Sequence, residues 1–100
     1  MDDQQRVASF LAAKGLGADP AHRVLDLASE VGELAKEVNE STDYGADDDV
    51  AVATDEVGDA LFALLALAES LDQDASEALS ASLAKYERRL DGSGDPGSGH

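Results

Sequence analysis

The chain contains no cysteine, and only four of its 100 residues are aromatic. Without cysteine it has neither disulfides nor thiolate metal sites, and a reducing intracellular compartment is allowed. Cations are also scarce. Seven Lys plus Arg face 22 acids, a formal net charge of −15, which repels nucleic acid backbones and anionic membranes. Long apolar stretches are missing too. The longest, Ala60–Ala68, is nine residues, about half of the ~20 needed to span a bilayer. No basic N-terminal region leads into an apolar segment, which argues against export. The expectation is a soluble, cytoplasmic protein that binds neither nucleic acid nor membrane. At 100 residues it makes one domain, too small to bury a core generously without a partner subunit.

What is abundant is aspartate and alanine. Fourteen of the acids are Asp and only Lys14, Lys36 and Lys85 are lysines, a balance suited to molar salt, where the Debye length shrinks to about 3 Å and self-repulsion is quenched. In such a halophilic surface an isolated carboxylate is ordinary solvation. Chemistry has to be argued from arrangement.

Four helices and no strand can be read. The first runs from about Asp3 to Lys14, with Val7, Phe10 and Leu11 at helical spacing, and stops at Gly15 and Gly17. The second opens with Asp19 as N-cap and Pro20 at the first helical position and continues to Asn39–Ser41. After the loop "TDYGADDD" a third helix is predicted from Asp48 or Asp49 to Leu71, and "DASE" at 74–77 forms a capping box for a fourth that ends at Leu90. Residues 1–90 form the domain, and 91–100, "DGSGDPGSGH", read as a disordered Gly/Ser/Pro tail.

Along the second helix, Asp26, Glu30, Glu33, Glu37 and Glu40 fall on one face, beside an apolar stripe of Leu27, Val31, Leu34, Ala35 and Val38. Like charges one turn apart destabilise a helix by ~0.2–0.5 kcal/mol per pair. The third helix is apolar all round beyond Asp59, which predicts burial on most sides and an antiparallel pairing with the second. The two helices also echo each other. "EVGE" at 30–33 and "EVGD" at 56–59 place two acids at i,i+3 around a glycine, with 22 residues between the pairs. Packed side by side, they can converge Glu30, Glu33, Glu56 and Asp59 on one point. An oxygen-only ligand set suits a hard cation, Mg²⁺ or Mn²⁺. Gly32 and Gly58 each cost a helix about 1 kcal/mol, which points to close approach of a backbone or a ligand.

The stretches "SEVGELAKEV" and "DEVGDALFALLALAESLDQDASEALSASLAKYERR" resemble the MazG-like all-α nucleoside triphosphate pyrophosphohydrolases over about residues 20–90. The family signature, Glu-x-x-Glu and then Glu-x-x-Asp, is matched by Glu30, Glu33, Glu56 and Asp59. The resemblance implies a four-helix bundle, and a 100-residue chain with an all-round apolar third helix is expected to complete it by self-association into a homodimer or homotetramer. The resemblance also implies that the four carboxylates bind Mg²⁺, that the metal binds a nucleoside triphosphate, and that water splits the α–β bond to give a monophosphate and pyrophosphate in nucleotide-pool house-cleaning. The phosphoribosyl-ATP branch of the superfamily and a non-enzymatic helical interaction module are the alternatives. Many relatives carry a further Glu where this chain has Ser29. Lys85, Arg88 and Arg89, at i, i+3 and i+4 near the end of the fourth helix, are candidates for phosphate binding, while Lys36 reads as an internal counter-charge and His22 as a surface residue.

Overall fold

The computed structural model describes residues 1–46 and 50–93. Four helices, α1 (Asp3–Lys14), α2 (Pro20–Ser41), α3 (Thr54–Ser70) and α4 (Ala75–Ser93), account for the secondary structure, with no strand among the described residues. Local chemistry sets their ends. Asp2 and Gln5 close a full capping box on α1, Gln5 N donating to Asp2 Oδ1 at 2.8 Å and Asp2 N to Gln5 Oε1 at 2.9 Å. Gly15, at φ 65°, then turns the chain out in the left-handed region while Leu16 N reaches back to Leu11 O at 2.9 Å. On α2, Asp19 Oδ1 accepts from His22 N at 2.9 Å and Pro20 occupies the first turn. Asp74 caps α4 by accepting from Glu77 N at 3.0 Å.

Two boundaries differ from the sequence expectation. Position 48 or 49, the predicted start of α3, lies outside the described residues, but residues 50–53 are not helical and α3 begins at Thr54. Two acceptors on α2 claim this segment's backbone: Ser41 Oγ takes the Ala51 N–H at 3.0 Å and Glu37 Oε1 that of Ala53 at 3.3 Å. Ala53, the residue before α3, is extended at φ −66° and ψ 142°. At the other end, α4 carries on through Asp91 and Gly92 to Ser93, past Leu90. The rest of the expected tail, 94–100, lies outside the described residues.

Helices α2 and α3 pack antiparallel. Glu37 meets Ala53, Glu30 lies with Glu56 and Asp59, and Asp26 and Ser29 face Phe62 and Ala63. On its other side α3 carries α1, joined by an edge-to-face pair of Phe10 and Phe62 with ring centroids 5.9 Å apart. Gln4 fastens the start of α1 to the α3–α4 turn, its Nε2 donating to Glu69 Oε2 at 2.6 Å and Gln73 O at 2.7 Å while its Oε1 accepts from Ala75 N at 2.7 Å. Arg23, the buried residue of α2, donates through Nη2 to Leu16 O and ties down the α1–α2 link.

The burial predicted for α3 is not reached within one chain. Among the described residues the buried apolar ones are Ala63, Leu65 and Ala66, while Val57, Leu61 and Leu64 stay half exposed. The reason is geometric: α1 and α2 cover two sides of α3, and α4 leaves the layer instead of closing the third. Its stripe of Leu79, Leu83, Tyr86 and Leu90 is open to solvent along the whole helix. The radius of gyration, 16.5 Å, exceeds the roughly 13 Å of a compact 100-residue domain.

Candidate metal centre

The antiparallel register brings the first two turns of α3 against the middle of α2. Carboxylate oxygens of Glu30, Glu56 and Asp59 there lie within 4.8 Å of one another, with Glu30 and Glu56 half-buried and Asp59 exposed. The i,i+3 spacing puts Glu56 and Asp59 one turn apart on the same side of α3, and the small Ala63 beyond them allows α2 to approach closely. Among the described residues no carboxylate of Glu30, Glu33, Glu56 or Asp59 accepts a hydrogen bond or pairs with a cation. Burial, followed by the nearby carboxylates of Glu37, Asp55, Asp59 and Glu33, pushes the Glu56 carboxyl above its usual range. Like charges held together without counter-charge are what an external cation relieves.

Glu33 stands apart from the triplet. Its charge is felt at Glu56, but its oxygens do not join the group that lies within 4.8 Å. Lys36 is exposed and makes no ion pair among the described residues, so it does not serve as the expected counter-charge. Lys85, Arg88 and Arg89 line a hollow of their own with Gly92 on α4, in which none of the four acids takes part. There Lys85 Nζ sits 4.8 Å and the Arg89 guanidinium 5.9 Å from the centre of the Tyr86 ring. His22 is surface-exposed, as expected, with Nε2 3.7 Å from Asp26 Oδ2.

A hollow of about 330 Å³ opens from the acids along the α2–α3 seam, lined by Asp26, Ser29, Glu30, Asp59, Phe62 and Ala63. Asp26 and Phe62 were not singled out from the sequence as site residues, although helical periodicity contains the signal, since Asp26 is one turn before Glu30 and Phe62 one turn after Asp59. Glu37, one turn beyond Glu33, was likewise legible only as a member of the acidic arc. Ser29 lines the same hollow. Asp26 differs from the motif acids in having basic neighbours, Arg23 Nη1 at 3.9 Å as well as His22.

The donor set fits a hard divalent cation. All donors are carboxylate oxygens, and their 4.8 Å spread is close to the roughly 4.2 Å between opposite ligands of an octahedral Mg²⁺. The arrangement is an all-helical fold among the described residues, with a candidate acidic metal site between two antiparallel helices. A family model described as the MazG nucleotide pyrophosphohydrolase domain matches residues 20–92. The chain belongs to that family, whose members are metal-dependent. No curated protein and no solved structure matches it. No helix among the described residues is long and apolar enough to cross a membrane.

Proposed function

We propose that this chain is a Mg²⁺-dependent nucleoside triphosphate pyrophosphohydrolase that cleaves the α–β bond of canonical or damaged nucleotides in cytoplasmic house-cleaning, with Mn²⁺ as a possible substitute. The observation that carries the reading is the meeting of Glu30, Glu56 and Asp59 within 4.8 Å in a chain matched to this family over residues 20–92. Glu33 completes the set as a fourth carboxylate whose field reaches Glu56. Bound there, Mg²⁺ would neutralise triphosphate charge and make water more acidic. The chain's own work is to hold the carboxylates on two packed helices, which keep geometry better than loops do. A carboxylate oxygen not engaged with metal takes a proton from the attacking water. The water oxygen bonds to phosphorus, and the bridging oxygen departs so that a monophosphate and pyrophosphate result.

The working unit in this reading is a homodimer or homotetramer. Its support is the open stripe of α4, with Leu79 59% and Leu83 57% exposed, which a second subunit would cover. Lys85, Arg88 and Arg89, grouped on the same helix, are the cations this reading offers to phosphates. The test is a panel of nucleoside triphosphates, deoxynucleotides, damaged nucleotides and phosphoribosyl-ATP with Mg²⁺, scored for pyrophosphate. Release from several triphosphates is expected; cleavage of phosphoribosyl-ATP alone would move the chain to the other branch, and no release from any would leave a helical interaction module.

A further inference from the structure

One of the chain's seven lysines and arginines is buried beside the acidic seam. The Arg23 side chain is 10% exposed, and its Nη2 donates to Leu16 O, which fastens the α1–α2 link. That carbonyl needs only a donor, and a neutral amide would serve it. A buried charge carries a desolvation cost that an amide does not, so the charge of the guanidinium calls for a second reason. Its Nη1 lies 3.9 Å from Asp26 Oδ2, and Asp26 lines the seam's hollow together with Glu30 and Asp59. Asp26 is also the acid of that wall with cationic neighbours among the described residues, since Glu30 and Asp59 have none.

We infer that Asp26 is an outer partner of a divalent cation held by Glu30, Glu56 and Asp59, meeting it through water and not directly, and that Arg23 is the positioning residue that keeps the Asp26 carboxylate in the seam; this rests on the metal-site reading above. Asp26 is four residues before Glu30, the preceding turn of the same helical face, yet its oxygens do not join the group that lies within 4.8 Å. It therefore stands next to the ligands without being one. Its approaches to Arg23 Nη1 at 3.9 Å and His22 Nε2 at 3.7 Å both involve Oδ2, and both are too long for hydrogen bonds. The Asp26 carboxylate accepts no hydrogen bond among the described residues. A half-buried carboxylate oriented by charge but lacking a donor takes one from water, and Mg²⁺ keeps several waters of its own. Repulsion from Glu30, one turn away, turns Asp26 toward solvent. Arg23, fixed at its other nitrogen by Leu16 O, opposes that turn.

The test uses the full chain in molar KCl with Mn²⁺ alone as the probe, titrated by calorimetry and read by electron spin echo for the number of waters on the ion. Asp26→Ala should weaken Mn²⁺ by about tenfold or more, as loss of a group behind a metal's ligands does, with the number of bound waters unchanged. Asp26→Asn keeps an acceptor oxygen and should recover most of that loss, while Asp55→Asn, which removes an equal charge beside Glu56, should stay within about twofold of the native chain. Arg23→Gln keeps a donor for Leu16 O and should weaken Mn²⁺ in the native background but not in Asp26→Ala, because its effect passes through Asp26. Native affinity in Asp26→Ala, with Mn²⁺ lost in Asp59→Ala, overturns the inference and leaves the metal site standing. A further water on the ion in Asp26→Ala makes Asp26 a direct ligand and overturns it as well, and so does an Asn variant no better than the Ala one, which assigns the effect to charge alone. Equal losses from Arg23→Gln in both backgrounds reduce Arg23 to a tie between helices and overturn its positioning role. If the native chain binds no Mn²⁺, the metal reading itself fails and the inference with it.

Discussion

Binding of Mg²⁺ at the acid cluster should stabilise the fold by mass action, because only the native chain gathers Glu30, Glu56 and Asp59 within 4.8 Å. In the unfolded chain Glu30 and Glu56 are 26 positions apart. At a metal concentration 100 times the dissociation constant the gain is about 2.7 kcal/mol. For a domain of this size 1 kcal/mol moves the melting temperature by roughly 4–8 °C, so the shift should be on the order of 10–20 °C. An acidic surface of this kind is also steadied by plain salt. The melts are therefore run in fixed molar KCl, where the Debye length is about 3 Å and a millimolar addition of Mg²⁺ or Mn²⁺ changes ionic strength negligibly. Asp59→Ala removes one of the converging ligands and should abolish the shift. Asp55→Ala removes an equal charge from the neighbouring turn, on a residue outside the triplet, and should keep it. Equal shifts in the native chain and both variants would refute the argument and return these acids to surface solvation.

Replacing Glu33 by Gln, or Asp59 by Gln, should abolish pyrophosphate release while apo-protein melting stays level or rises, since each removes repulsion from a cluster that has no cation among the described residues; loss of folding in both would mark the acids as structural. The elevated Glu56 carboxyl makes a signed prediction about pH. Its proton is held more tightly in the folded state, so its contribution to stability is full below the ordinary glutamate value of the unfolded chain and is lost as pH rises through the elevated folded one. Apo-protein melts from pH 4 to 7 should show this fall, and Glu56→Gln should flatten it. Arg23→Ala should destabilise the chain by about 1–3 kcal/mol by leaving the Leu16 carbonyl without its donor, checked by urea denaturation. Leu83→Glu, on the open stripe of α4, should convert the proposed oligomer to monomer in a sedimentation experiment.

Most of the secondary structure is legible in the sequence because its signals are local. Asp19 followed by Pro20, Asp74 three residues before Glu77, and Gly15 after Lys14 each act within one helical turn, and the ends they mark are those observed. The i,i+3 acid pairs are equally local: periodicity alone puts Glu56 and Asp59 on one side of α3, and the repeated Glu-x-x-acid motif carries the family. The start of α3 was decided elsewhere. Glu37 and Ser41, on another helix, take the N–H groups of Ala53 and Ala51, and no reading of residues 48–54 alone contains those acceptors. Tertiary register likewise chose which acids converge, since Glu30 meets Glu56 and Asp59 while Glu33, identical in residue type and one turn away, lies outside that triplet. The hollow beside Gly58, between α1 and α3, is also a product of packing. Sequence shows a glycine costly to a helix, but only the placement of α1 against α3 shows that the space beside it is empty of protein. Local spacing determines which face a side chain occupies, and the distance between faces on different helices is decided only when the helices pack.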